Sequence, residues 1–217
     1  MNRSRCVAHR VSSSMTIERP PTEQPVPASA SSPRIVLASG SPRRRELLEQ
    51  AGCTFEVIPS PADEIHDASL APPALCEWNA RLKAAAVAAN HPDAWVIGAD
   101  TLVFLDGRPL GKPRDFTEAA SMLRALSGRA HVVCTGVCVI APGAAGPHTF
   151  HEMTRVFFRQ LGDREIEDYL TLVNPLDKAG GYAIQEHGGR IIERIDGPFD
   201  NVMGLPVAAV LAALPAR

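Results

Sequence analysis

The sequence predicts an α/β fold built on a mixed sheet, and three observations carry that reading. From Arg34 onward, short apolar runs of strand length alternate with stretches whose apolar residues recur at helical spacing. Two long strand-like runs, His131 to Ile140 and Thr149 to Gln160, flank the turn "APGAAGPH" and read as a hairpin, which adds antiparallel pairing to the sheet. At 217 residues and 45% hydrophobic, the chain can enclose one sizeable core, or two small lobes sharing one.

Residues 1–33 hold Ser, Pro, Ala and Arg with little periodic hydrophobicity, so they bury too little surface to offset ordering entropy and read as a disordered leader. Their Arg-rich, acid-poor beginning also resembles an organelle transit peptide, though without an amphipathic helix, and translation can equally begin at Met15. The domain proper spans 34–217. It opens with a strand, Arg34 to Ala38, the turn Ser-Gly-Ser, and a helix that starts at Pro42 and is capped by Ser41. A short strand, "TFEVIPS", leads to the acidic turn "PADEIHD". The next helix, Leu75 to Ala89, places Leu75, Trp78, Leu82, Ala85 and Ala89 on one stripe, with Lys83 beside it. "AWVIGADTLVFLDGRPLGKPRD" reads as a buried strand ending in Asp100, a second short strand, a turn at Asp106-Gly107 and a loop bearing Lys112. A helix capped by Asp115 or Thr117 and stopped by Gly128 precedes the hairpin. After it, "DREIEDYL" begins a helix with Ile166, Tyr169, Leu170 and Val173 on its apolar face. The loop "NPLDKAGGYAIQEHGG" then leads to the strand "RIIERID" and a terminal core helix within "LPVAAVLAALPA".

Composition excludes several function classes. A net charge of −2 argues against a bulk electrostatic nucleic-acid binder. No apolar run approaches the about 20 residues of a membrane span, so no membrane partner is expected. The five cysteines (Cys6, Cys53, Cys76, Cys134, Cys138) are irregularly spaced with no C-x-x-C pair, which favours neither a disulfide framework nor a zinc site and fits the reducing cytoplasm. Cys134 and Cys138, four apart in an apolar run, read as core thiols, and the seven histidines have no ligand spacing. "HEMTR" is not H-E-x-x-H and no G-x-S-x-G occurs, so protease and hydrolase-triad readings have no foothold.

The stretch "LASGSPRRRELL" opens a helix with Arg43, Arg44 and Arg45. Cations at a helix amino end are misplaced by about 0.3–1 kcal/mol each, so the cluster asks for an anion, as phosphates supply at helix starts. Asp100, after "WVIGA", sits where ligands collect in open α/β sheets and suits a divalent metal or a proton acceptor; an ordinary turn aspartate is the plain alternative. Glu64, beside Asp63, offers a second oxygen ligand for Mg²⁺, against a solvated acidic turn. "GRPLGKPRD" is one residue short of a P-loop and has Pro113 where Ser or Thr must stand. Lys112 still suits a phosphate contact, as do Lys83 and Lys178, each more often a surface lysine when taken alone. Together, cations on loops and helices with carboxylates at strand ends form an inventory for chemistry on a polyphosphate.

"LASGSPRRRELL", "GADTLV" with "GKPRD", "LSGRAHVVCTGV", "PLDKAGGYAIQ" and "NVMGLPV" resemble, in order and spacing, the Maf family of nucleoside triphosphate pyrophosphatases, from about Ile35 to the last helix. The resemblance implies an elongated mixed twisted sheet with flanking helices and two lobes around a central cleft, as in inosine triphosphate pyrophosphatase-like folds. It implies an enzyme that hydrolyses a nucleoside triphosphate to the monophosphate plus pyrophosphate with Mg²⁺ or Mn²⁺, in a homodimer. Carried over by position, Asp100 is the catalytic aspartate, as base or metal ligand, and Glu64 is the second metal-binding acid. Ser39, Arg44, Lys83 and Lys112 match phosphate-binding positions. Arg43, Thr101 and Gln185 match the branch acting on dTTP and UTP, whereas the 7-methyl-GTP branch looks like S-P-W, D-Q and Glu at these places. A glutamine amide offers both donor and acceptor to a pyrimidine edge. Glu186-His187 departs from the small or apolar residues usual in that branch. The alternatives are a pyrophosphatase for 7-methyl-GTP or inosine triphosphate, and a non-catalytic nucleotide sensor acting in cell division.

Overall fold

A mixed sheet of seven strands flanked by helices forms the frame of the computed structural model, which describes Met1 and residues 33–67, 69–144 and 146–215. The leader expected over 1–33 lies outside the described residues, apart from Met1 and Pro33. The first half contains β1 (Ile35–Leu37), α1 (Pro42–Gln50), β2 (Glu56–Val57), α2 (Pro72–Ala88), β3 (Trp95–Leu105) and β4 (Arg108–Leu110). The second half contains α3 (Phe116–Leu126), β5 (Ala130–Ile140), β6 (His148–Phe158), α4 (Asp163–Leu172), β7 (Ile192–Asp196), α5 (Phe199–Met203) and α6 (Val207–Ala213). Strand order is β2-β1-β3-β5-β6-β7, with β4 on β3. The β1–β2 and β1–β3 pairs are parallel, and the others, including the expected β5–β6 hairpin, are antiparallel.

The register leaves a gap in this sheet. β5 follows β3 along nearly its whole length, from Val96–Ile140 to Phe104–Val132. The opposite edge of β3 is covered only near its ends, by β1 up to Leu37–Ile97 and by β4 from Val103–Leu110. Residues 98–102 are therefore open on that edge, just where the chain leaves β1 at Ser39. The run expected to end at Asp100 is instead one strand of 11 residues, because the apolar alternation continues through Leu102 and Phe104. Asp100 lies in mid-strand, opposite the place where its parallel neighbour has stopped. That is the crevice beyond the carboxyl end of β1, where open α/β sheets collect ligands.

Alternation along β3 and β5 sends successive side chains to opposite faces. On one face lies α2, pressed close to the backbone: a Cβ added to Gly98 would overlap the Ala80 carbonyl oxygen, and one added to Gly136 would overlap the Cys76 carbonyl group. This approach overturns the expected helix stripe. α2 buries Leu75, Cys76, Asn79, Ala80, Ala84 and Val87, while Trp78 is 52% exposed and Ala85 is exposed. Small residues win the inner face because large ones cannot fit between helix and glycine. Cys134 and Cys138 are buried on this side, as expected.

The other face carries two apolar clusters. One joins Ile97, Ala99 and Val137 to Leu47 and Leu48 of α1 and to Val210 of α6. The second joins Val103 and Val133 to Leu123 and Leu126 of α3 and to Ile166, Tyr169 and Leu170 of α4. Between them, Thr101 on β3 and Thr135 on β5 interrupt the apolar rows with hydroxyls. The two lobes are thus parted by a polar seam crossing a continuous sheet.

Several local expectations change in the structure. "TFEVIPS" contributes only the two residues of β2. The Gly-Tyr-Ala-Ile segment is irregular, as its place in the expected loop implies, and Gly180 and Gly181 take positive φ at its start. The terminal core helix reduces to α6, of which only Val210 is fully buried. His131, in the expected strand, is buried, with Nε2 2.7 Å from the Tyr182 hydroxyl. Asp115, not Thr117, caps α3, accepting from the Glu118 N–H at 2.8 Å.

Candidate active site

The three arginines of α1 separate because each step turns about 100° around the helix. Arg45 faces outward, 3.6 Å from Glu49. Arg43 donates to Asp177 Oδ2 at 3.2 Å. Arg44 is buried and runs into the polar seam. Its Nε donates to the Gly204 carbonyl (2.8 Å), Nη1 to Ser39 Oγ (3.0 Å) and Nη2 to Thr101 Oγ1 (3.0 Å). All these acceptors are neutral oxygens. Burial accordingly pulls the guanidinium pKa below its ordinary value. A buried cation held without an adjoining carboxylate is costly unless an anion completes it. Ser41 stands at the helix cap position, but its side chain makes no cap bond; its N–H donates to Ser39 Oγ at 3.3 Å.

Thr101 is itself braced. Its Oγ1 lies 3.2 Å from the Gly204 carbonyl and 2.9 Å from Thr135 Oγ1, and Thr135 donates to the Asn201 carbonyl at 3.1 Å. The amide of Asn201 continues the seam to Val133 O and Thr154 Oγ1. The backbone after α5, from the "NVMGLPV" motif, therefore serves as the wall against which Arg44 is set.

On the other face of β3, Asp100 meets α2. Lys83 Nζ lies 2.7 Å from Asp100 Oδ1 and 2.6 Å from Glu64 Oε1, so the two acids converge on one ammonium. Asn79, one helical turn before Lys83, donates to Asp100 Oδ2 at 3.1 Å. Partial burial pushes the Glu64 pKa up, but the hydrogen bond and charge of Lys83, with the charge of Lys112, outweigh it and leave the carboxyl below its ordinary value. Among the described residues no group of three or more His, Cys, Asp or Glu gathers as a ready-made metal cage. Two hard oxygen donors already converging on one cation fit Mg²⁺ or Mn²⁺, which takes few carboxylates and completes its shell with water and phosphate.

A cleft of about 930 Å³ contains both halves. Its walls include every position that the family resemblance marked for the site: Ser39, Arg43, Arg44, Glu64, Lys83, Asp100, Thr101, Lys112 and Gln185. Lys112 is exposed on the loop after β4, with Pro113 buried behind it. Gln185 is exposed at the rim, and its Nε2 donates to Glu186 Oε1 at 3.3 Å. Lys178 differs from a free phosphate contact. Its buried ammonium donates to Asn174 O and Asp177 Oδ1, both at 2.8 Å, and lies 3.5 Å from Glu186 Oε1. Asp177, Lys178 and Glu186 thereby form a brace joining Arg43 to Gln185 across the cleft wall.

Sequence reasoning passed over Asn79, Thr135, Asp177 and Asn201. Asn79 was legible in principle, since a polar residue four positions before Lys83 shares its helix face. The others depend on long-range approaches with no local signal.

The family model described as "Maf-like protein" matches residues 34–217. The chain is 53% identical over 182 residues to a dTTP/UTP pyrophosphatase of Akkermansia muciniphila, covering 84% of this chain and 95% of that protein. It is 50% identical over 183 residues to a protein of the same name from Deinococcus radiodurans (84% and 92% covered) and 49% identical over 174 residues to one from Pelotomaculum thermopropionicum (80% and 91%). With the five motifs now seen lining or bracing one cleft and the match running through the whole domain, the chain belongs to the Maf family.

Proposed function

We propose that this protein hydrolyses dTTP and UTP to the monophosphate plus pyrophosphate within the cleft. The observation that carries the reading is the buried Arg44 fork, held by neutral acceptors and facing the same cleft as the Lys83–Glu64–Asp100 cluster. A triphosphate tail supplies the anion that this arrangement lacks, and the names of the relatives specify the same substrates.

In this reading water attacks the α-phosphorus, the α–β anhydride P–O bond breaks, and pyrophosphate leaves. Asp100, oriented by Lys83 and Asn79, takes the proton of the attacking water. Arg44, Lys83 and Lys112 neutralise the pyrophosphate as its charge grows. Glu64 and Asp100 are the residues that would hold Mg²⁺ or Mn²⁺. Such an ion, when bound, shields phosphate oxygens and lowers the pKa of bound water. Arg43, Thr101 and Gln185 select the pyrimidine, with the Gln185 amide able both to donate and to accept at the base edge.

A homodimer in the cytoplasm completes the proposal. The assembly follows from the family resemblance, and the buried free thiols of Cys76, Cys134 and Cys138 fit a reducing compartment. Sedimentation analysis tests the assembly.

The primary test incubates purified protein and Mg²⁺ separately with dTTP, UTP, CTP, GTP and 7-methyl-GTP, following pyrophosphate and orthophosphate. Pyrophosphate from dTTP and UTP is the expected result. Release mainly from 7-methyl-GTP would overturn the pyrimidine assignment, and binding without any release would make the protein a nucleotide sensor.

A further inference from the structure

Glu64 stands on a segment, residues 58–67, that belongs to no helix or strand. Backbone bonds hold only its ends, the Ile58 N–H donating to the Leu37 carbonyl at 3.1 Å and the Leu70 N–H to the Asp67 carbonyl at 3.2 Å. Yet the Glu64 carboxylate must meet Asp100, a residue fixed in the middle of β3. Lys83 joins the two acids, but a lysine ends in a long flexible stem and its ammonium accepts any carboxylate geometry.

The rigid link is Asn79. It is 1% exposed, and its short side chain leaves α2 one turn before Lys83. Oδ1 accepts from the Ile65 N–H at 2.9 Å, and Nδ2 donates to the Ile65 carbonyl at 3.1 Å. The same Nδ2 gives its other hydrogen to Asp100 Oδ2 at 3.1 Å. Both amide hydrogens and the amide oxygen are thus used, and the residue next to Glu64 is gripped by both its backbone groups. Asp100 Oδ2 is occupied by this donor, so Oδ1 is the oxygen presented to Lys83 and the cleft.

We infer that Asn79 is a positioning residue for the cation site: it registers the Glu64 loop against Asp100 and selects which Asp100 oxygen faces the incoming divalent ion. The inference rests on the metal-dependent reading of the cleft given above. Residues in such supporting positions typically change metal affinity or activity by about 10–100-fold when replaced. A merely structural buried amide would instead lower stability and leave metal affinity alone.

The test uses the full chain, with Asn79→Leu to keep volume and remove all three bonds, and Asn79→Ala as a second variant. Mn²⁺ binding is followed by electron paramagnetic resonance without nucleotide, and metal half-saturation is measured during turnover of dTTP. Both constants should weaken about 10-fold or more, while KM for dTTP at saturating metal changes less than threefold and added metal recovers most of the turnover. Hydrogen exchange at the Ile65 amide should quicken in both variants. In the wild-type protein the Asn79 side-chain amide resonances should shift on Mg²⁺ titration, with the midpoint of metal binding; this arm decides the matter if neither variant folds. Metal constants within twofold of wild type in a folded variant, no saturable Mn²⁺ binding by the wild type, or Asn79 resonances indifferent to Mg²⁺ would overturn the inference. Absence of pyrophosphate release by the wild type would instead sink the hydrolytic reading, leaving the Mn²⁺ and resonance arms to decide on Asn79.

Discussion

Arg44 Nη2 donates to Thr101 Oγ1 across 3.0 Å, so a residue expected to hold phosphate and one expected to choose the base act as a single bonded unit. Thr101 spends its hydroxyl on Arg44, Gly204 and Thr135. In the proposed reading, Thr101 acts on the substrate through the placement of the guanidinium. Thr101→Val preserves shape and removes this acceptor, leaving a buried charged donor unsatisfied at a cost of about 1–3 kcal/mol. The expected outcome in urea unfolding and steady-state kinetics is lower stability together with a raised KM for dTTP. An unchanged KM would separate Thr101 from phosphate binding.

Asp100→Asn should fold and lose turnover by about 10²–10⁴-fold. Asp100 accepts from two donors, Lys83 and Asn79. An amide presents its oxygen to only one of them, so a modest fall in melting temperature accompanies the kinetic loss. Near-normal pyrophosphate release from the folded variant would remove Asp100 from the base or ligand role.

Combining Arg43→Trp, Thr101→Gln and Gln185→Glu should move preference from dTTP and UTP toward 7-methyl-GTP. Arg43 and Gln185 are joined through Asp177, Lys178 and Glu186, so two of the changes act on one connected wall, while the third, at Thr101, acts on the Arg44 fork. Competition assays with mixed nucleotides read the shift directly. Unchanged selectivity would place the discrimination outside these residues.

Gly136→Ala tests the close approach of α2. The added Cβ would meet the Cys76 carbonyl group and the Glu77 nitrogen, backbone atoms of a helix that cannot yield locally. Overpacking of this kind costs about 1–3 kcal/mol or more. Any accommodation moves Asn79 and Lys83 away from Asp100, so turnover should fall more steeply than stability accounts for. Wild-type turnover in this variant would show that the cluster tolerates helix displacement.

His131 predicts a pH dependence. Burial lowers its imidazole pKa from 6.5 to about 4, so the folded state resists protonation that the unfolded chain accepts. Its stabilising contribution is complete above pH 6.5 and declines as pH falls from there toward about 4. At about 1.4 kcal/mol per pKa unit, the loss approaches about 3 kcal/mol. Chemical unfolding at pH 7 and pH 4.5 should show a smaller difference for His131→Phe than for the wild type; equal differences would refute the assignment.

Local pattern made much of this protein legible. The alternation of "HVVCTGVCVI" and the turn after it announced the hairpin, and Ile166, Tyr169 and Leu170 marked the inner face of α4, because these signals depend on neighbours a few residues apart. The chemical inventory was legible too, since each of the residues expected at the site lines the cleft. What tertiary structure alone decided was how they meet. The inner face of α2 passed to Cys76, Ala80 and Ala84 because Gly98 and Gly136 draw the helix onto the sheet, a distant steric effect invisible in helix periodicity. Asp100 reaches the cleft from mid-strand because β1 and β4 cover only the ends of one edge of β3. Arg44 found its acceptors at Gly204, 160 positions away, and Asn79 its partners at Ile65 and Asp100. Sequence specifies donors, acceptors and periodic faces, whereas the register of a sheet and the approach of a helix depend on packing among distant segments, which sets the distances at which the chemistry operates.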